Sequence, residues 1–167
     1  MSRSRFDPTS DRAIKGLAFQ NDLQDKLSDK FNSAMNTREW LLCMDPFLKA
    51  IQLNTLEHTW GDIILLDKRL DHPIFIECVS VNWERSIFPE HKINKFEGKN
   101  KFYCFGWENK EYRFIHSMTW NAYARKLPKF DCYRRFKRSN IESINKQDPS
   151  IDAFCKKLLS KKTCNTQ

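Results

Sequence analysis

An α/β fold, with a central mixed β-sheet flanked by helices, is predicted by three features of this sequence. Apolar residues recur at helical spacing near the N-terminus, two pairs of short β-branched and aromatic runs are each split by a polar turn, and a proline-opened polar stretch separates the two pairs. The order α–β–β–α–β–β–α that results is that of a sheet with helices packed on its faces.

The first helix is predicted from Asp11 to about Phe31, because Phe19, Leu23, Leu27 and Phe31 form one stripe and Ser10 or Asp11 can cap it. Residues 37–53 form a second helical region, broken or kinked at Pro46. Thr59–Leu66 and Pro73–Val81 are predicted strands joined by the polar turn DKRLDH, a hairpin signal. Within Trp83–Phe96, a helix is expected to begin after Pro89, where proline suits the first turn. Lys101–Glu108 and Glu111–His116 flank Asn109-Lys110 as a second hairpin. Helices are expected from Thr119 to Lys126, around Asn140–Lys146 and at Ile151–Leu159. The whole chain reads as a single domain over residues 1–167: a core of about 11–120, a basic helical extension over 121–160, and a frayed tail over 161–167.

The chain carries 29 Lys plus Arg against 21 Asp plus Glu, a formal charge of +8. Such an excess attracts polyanions and points toward a nucleic-acid binder. Six cysteines form no C-x-x-C pair and no His-containing zinc spacing, so free thiols in a reducing, cytoplasmic setting are expected and zinc is not. The start of the chain has no apolar signal segment and no run is long enough to span a membrane. Four isolated glycines argue against a glycine-rich phosphate loop, and no G-x-S-x-G or Cys–His pattern argues for nucleophilic catalysis.

Two carboxylates stand out. Asp62 opens an apolar strand in GDIILL, and Glu77 sits in the middle of the next one, between Ile76 and Cys78-Val79. Burying an unpaired charge costs several kcal/mol, so Glu77 needs a cation. In a hairpin the two acids can lie side by side and share one divalent ion, and oxygen-only ligands suit Mg²⁺ or Mn²⁺. Bound there, the ion would activate water and stabilise charge on a phosphodiester. Alternatively, either acid caps the hairpin or pairs with Lys68, Arg69 or another base.

At these residues the chain resembles the PD-(D/E)XK nuclease superfamily, whose core is a helix, a hairpin carrying an Asp and then a Glu-x-Lys, another helix and further strands. GDIILL followed by IFIECVSV matches that hairpin, and the likeness spans roughly residues 11–116. The resemblance implies a restriction-endonuclease-like fold, a Mg²⁺- or Mn²⁺-dependent endonuclease, and a homodimer, since cutting two strands takes two sites. Two positions depart from the pattern. Val79 stands where the family has its lysine, and the first helix offers Gln20 with Asp22 and Asp25 nearby in place of an acidic ligand. Gln20 can still donate its carbonyl oxygen to a metal. In the cap-snatching endonucleases of segmented negative-strand RNA viruses the lysine comes from the following helix. FIECVSVNWERSIFPEHKINK resembles that stretch, with Lys92 at the lysine position and Lys95 one turn later. Such a lysine orients the attacking water and offsets phosphate charge.

Nucleic acid is expected along residues 123–138, where Arg125, Lys126, Lys129, Arg134, Arg135, Lys137 and Arg138 are interleaved with four aromatics. Lys92, Lys95, Lys99 and Lys101 would form the other wall of that cleft. Of the four histidines, at 58, 72, 91 and 116, His58 is the one to test because it closely precedes Asp62. The sequence therefore predicts an endonuclease acting on DNA more readily than on RNA. Three other readings stay open: a degenerate relative that only binds nucleic acid, an RNA endonuclease of the cap-snatching kind, and a basic interaction module without nuclease ancestry.

Overall fold

A computed structural model describes residues 9–82, 84–106, 110–144 and 150–160. In chain order the elements are α1 (Asp11–Ser28), β1 (Ser33–Asn36), α2 (Thr37–Met44), α3 (Ala50–Trp60), β2 (Ile63–Leu66), β3 (Ile74–Ser80), β4 (Ser86–Pro89) and α4 (Glu90–Lys95). They continue with β5 (Lys101–Gly106), β6 (Tyr112–His116), α5 (Ser117–Ala124), β7 (Lys129–Phe130), β8 (Tyr133–Phe136), α6 (Arg138–Ile144) and α7 (Ile151–Ser160).

The predicted α/β architecture is present. Five strands form a mixed sheet in the order β1-β2-β3-β5-β6, in which only β3 and β5 run parallel. The crossover between those two strands carries β4 and α4, so it lays α4 against one face of the sheet. Strand β3 lies in the middle and splits its side chains by face. Ile74, Ile76 and Cys78 join Phe19, Leu23 and Leu27 of α1 and Phe154 of α7 in one cluster. Phe75 and Val79 join a second cluster with Phe88, Ile93, Phe96, Tyr103, Phe105 and Trp120. Alternation along β3 therefore assigns Glu77 to the second face, beneath α4. The aromatic rings there interlock, with Phe105 and Trp120 centroids 4.6 Å apart and Phe88 and Tyr103 at 5.1 Å.

Several elements differ from the sequence expectation. Thr59 and Trp60 end helix α3 and are not strand residues; the strand begins only at Ile63. The helical region is broken around Pro46 as expected, with residues 45–49 between α2 and α3, but it runs on to Trp60 and does not stop at residue 53. The edge strand β1 was not anticipated, since Ser33–Asn36 (SAMN) holds no β-branched residue; it pairs with β2 from Ser33↔Leu66 to Asn36↔Ile63. The extension over 121–160 is not wholly helical. Its residues 129–136 form a hairpin turned at Asp131 (φ 53), and β8 pairs with β4 to make a separate three-stranded sheet, β4-β8-β7. The expected turn at Asn109 and the end of the helix at Lys146 lie outside the described residues, as do the tail over 161–167 and Cys164. No helix among the described residues is long and apolar enough to cross a membrane.

Gly61 is the pivot between α3 and the sheet. Its amide closes the helix by donating to the Glu57 carbonyl (2.8 Å), and its φ of 78 turns the chain sharply into β2. An added Cβ would stand 2.7 Å from the Ile76 carbonyl oxygen, so only glycine allows β3 this close. The next amide, that of Asp62, then donates to that same carbonyl at 2.8 Å. Gly61→Ala should therefore cost about 2 kcal/mol or more, from left-handed strain plus the clash, measured by urea denaturation. A variant as stable as the wild type would contradict this account of the turn.

Candidate functional site

The β2–β3 hairpin brings the two predicted acids together. Pairing of Ile63 with Ile76 sets Asp62 opposite Glu77 one step further along. Asp62 is held through both backbone and side chain: its carbonyl accepts from the Thr37 amide, and its Oδ2 accepts from the Cys78 amide at 2.8 Å. Glu77 is only 5% exposed. The alternative partner Arg69 is taken up elsewhere, by Asp67 at 2.7 Å, within the turn.

The cation that Glu77 requires is Lys92. Its ammonium pairs with Glu77 Oε1 and acts electrostatically on Asp62, so one lysine from α4 sits between two carboxylates. Burial pushes the Asp62 carboxyl above the usual range, opposed by Lys92 and by the Cys78 amide. Burial likewise pulls the Lys92 ammonium down, opposed by Asp62 and reinforced by Arg12. Val79 lies on the same side of β3 as Glu77, but it packs into the second apolar cluster. A lysine on the strand there would be buried among Val81, Phe88 and Phe105, whereas α4 delivers one from above.

The remaining sequence candidates divide. Lys95 is exposed on α4 and pairs with neither acid. Gln20 is half-buried beside the α1 stripe that packs on the opposite sheet face, and it hydrogen-bonds to neither acid. Asp22 is committed to Lys26 (2.9 Å), Tyr112 and Lys110, so it does not turn toward the pair. His58 lies near Lys92 and faces His91, with ring centroids 5.1 Å apart. Sequence reading named His91 but preferred His58 to it, and it missed Arg12 and Glu57. The last lies close enough to Asp62 for the two to repel; its carboxyl is pushed up by burial, with Arg38 opposing and Asp62 reinforcing. Helical spacing would have found Glu57, four residues before Gly61, had Thr59 and Trp60 not been read as strand.

Among the described residues no three His, Cys, Asp or Glu side chains converge to enclose a metal. Two neighbouring carboxylates nevertheless fit a hard divalent ion, because Mg²⁺ is commonly held by one or two carboxylates with water and substrate phosphate completing its shell.

The basic segment is less available than its composition implied. Arg134 donates to the carbonyls of Arg125 and Leu127 and pairs with Glu90 at 2.7 Å, leaving its Nε buried without a partner. Lys129 pairs with the other Glu90 oxygen at 2.8 Å, and together these cations hold the Glu90 carboxyl below its usual range. Arg138 bridges Glu111 and Glu142, and Arg125 approaches Glu97. Lys126, Arg135 and Lys137 remain exposed, with Arg135 stacked over Phe130 at 4.3 Å. Arg135 and Lys137 line a groove of about 860 Å³ together with Arg85. Arg85 also lines a second groove of about 540 Å³ with Arg12 and Lys15, at the Ser80 end of β3. Lys99, by contrast, lines a small cavity with Arg69 and His72 at the Ile74 end, roughly 20 Å away along the strand. Lys101 lies over the Phe96 ring. Of the four lysines expected to form a second wall, Lys92 and Lys95 lie on α4, whereas Lys99 lies toward the Ile74 end and Lys101 on β5; the cations lining the groove at the Ser80 end are Arg12, Lys15 and Arg85.

No protein-family model matches the chain, and no curated protein matches it. Among solved structures it is similar to Hjc, a Holliday junction resolvase from the archaeal hyperthermophile Archaeoglobus fulgidus, with 14% identity over 77% of this chain and 88% of that one and a TM-score of 0.46. At that TM-score the likeness carries nothing further, and the α/β assignment stands on the topology given above.

Two outcomes follow from the geometry. Lys92→Met should destabilise the metal-free protein by about 3 kcal/mol, because it leaves a buried carboxylate unpaired. Adding Glu77→Gln should recover much of that loss, and a double-mutant cycle by urea denaturation reads the coupling. Simple additivity would mean that the two side chains do not depend on each other. Separately, Arg134→Glu should lower the melting temperature, whereas Arg85→Glu, Arg135→Glu and Lys137→Glu should leave it unchanged. Each of those three should flatten the salt dependence of nucleic-acid binding by roughly one phosphate. Unchanged slopes in all three would move the nucleic acid to another surface.

Proposed function

We propose that this chain is a metal-dependent endonuclease of the PD-(D/E)XK kind, hydrolysing phosphodiester bonds in nucleic acid, with DNA as the substrate class. The observation that carries the reading is Lys92 reaching from α4 to Glu77, across from Asp62, at a buried hairpin. Asp62 and Glu77 are the residues that would hold Mg²⁺ or Mn²⁺; Gln20, beside the stripe on the opposite sheet face, is left out of the set. When bound, such an ion supplies Lewis acidity toward the phosphodiester and the attacking water. The chain's own part is positional. Asp62 is oriented by the Cys78 amide, which fixes one of its carboxylate oxygens. Lys92, beside both acids, would hold the attacking water and offset charge at the phosphate. Arg12, Lys15 and Arg85 line a groove beside this point and suit a phosphate backbone. Cutting two strands takes two sites, so the proposal includes a homodimer.

One observation favours a second reading. The Lys92–Glu77 pair neutralises the buried acid without any metal, which is also how a relative that only binds nucleic acid would be stabilised.

Cleavage separates the two. Plasmid, single-stranded DNA and RNA are incubated with Mg²⁺ or Mn²⁺, comparing wild type with Glu77→Gln, Asp62→Asn and Lys92→Ala. The enzyme reading expects the acid variants to be inactive and Lys92→Ala to be slower by roughly 10²–10⁴, with binding little changed. Mn²⁺ should raise the melting temperature of the wild type but not of the acid variants. An inactive wild type with a metal-independent midpoint supports the binding-only reading.

A further inference from the structure

His58 and His91 are unused by the chemistry above, yet they flank it. His58 stands near the end of α3, four residues before Asp62, and His91 immediately precedes Lys92 on α4. Their rings meet edge to face, with centroids 5.1 Å apart and planes at 82°. None of their ring nitrogens has a hydrogen-bond partner among the described residues, and Lys95 on the same helix has no carboxylate partner there. We propose that His58, His91 and Lys95 form a phosphate-binding subsite beside the acid pair, which takes a backbone phosphodiester next to the scissile one.

The surrounding charges favour an anion over a metal. From α4, Lys92 and Lys95 face the pair; from α3 and the turn after it come Glu57 and Asp62; Arg12 of α1 adds to the field at Lys92. Glu57 has Arg38 at 3.7 Å, and Asp62 shares Lys92 with Glu77, so neither acid is left to neutralise the imidazoles. Burial and these cations hold both imidazoles below the ordinary value; for His58 the opposing charges are His91, Lys92 and Lys95, and for His91 they are those of Lys95. A bound cation would meet the same repulsion, whereas a phosphate relieves it and allows the rings to take up protons. Phosphate binding must then raise their titration midpoints, and it must strengthen as pH falls through the window between the free and bound values.

This subsite rests on the nuclease reading for its position, but its test does not. The full, untagged chain is titrated by NMR through its four histidine rings in EDTA, alone, with an eight-nucleotide single-stranded DNA, and with inorganic phosphate at matched ionic strength. The expected result is a rise of about one pH unit in the His58 and His91 midpoints with the oligonucleotide, with His72 and His116 unmoved. Oligonucleotide affinity should gain up to about tenfold for each ring that shifts by that amount as pH is lowered from 8 to 5, and His91→Gln should remove at least half of the gain. A rise with inorganic phosphate as well would assign the subsite to phosphate in general; a rise with inorganic phosphate alone would overturn the assignment to a nucleic-acid backbone. Unmoved midpoints, or four rings that shift alike, would overturn the proposal. Metal is absent throughout, so failure of the acid pair to bind Mg²⁺ or Mn²⁺ leaves these readouts intact.

Discussion

A carboxylate buried in the middle of a sheet has to be answered by positive charge, and much of this molecule is arranged around that need at Glu77. The glycine turn at Gly61 lets β3 approach α3, which sets Asp62 across from Glu77 and ties its carboxylate to the Cys78 amide. That arrangement puts a second negative group beside the first and makes the need for a cation greater. Lys92 meets it, and the β3–β5 crossover is the route by which α4 reaches over the sheet to deliver the lysine. Underneath, an interlocked aromatic layer of Phe88, Tyr103, Phe105 and Trp120 excludes water and so keeps the local charges strongly coupled.

Electrostatic frustration of this kind has two resolutions, and they involve the same atoms. With Lys92 paired to Glu77 the site is neutralised internally. With another cation on the acids, as the proposed function would have it, the lysine would no longer be needed to neutralise them. Under the proposed nuclease reading, a site able to adopt either state would sacrifice some stability for function, as buried ion groups commonly do.

The hairpin and its two acids were legible because apolar alternation around a lone Glu is a local pattern, complete within about ten residues. The helix after Pro89 was legible too, but Lys92 was singled out within it only by the resemblance to the cap-snatching endonucleases. Elements whose formation depends on distant partners were not legible. Strand β1 is four residues of unremarkable composition that become a strand only by lying along β2. Thr59 and Trp60 have strand-forming side chains but continue α3, because packing of Trp60 against Trp40 and Phe75 outweighs their propensity. The ion pairs of the basic segment were hidden for a similar reason. A run of arginines looks like a solvated, ligand-ready face until its carboxylate partners are known, and Glu90, Glu97 and Glu111 are remote in sequence from the residues they bind.

Glu90 has a wider meaning for how this chain is divided. It is the first residue of α4, and it is gripped by Lys129 and Arg134 from the β7–β8 hairpin, which also zips onto β4 just upstream. The hairpin is therefore a brace for the helix that carries Lys92, two turns of contacts away from the acids. A minimal core cut at residue 120 would keep every acid of the candidate site and lose the scaffold that aims its lysine. Truncation mapping would then assign to the extension a chemistry that none of its own side chains performs, and a boundary drawn from motif position alone would fall inside the working unit.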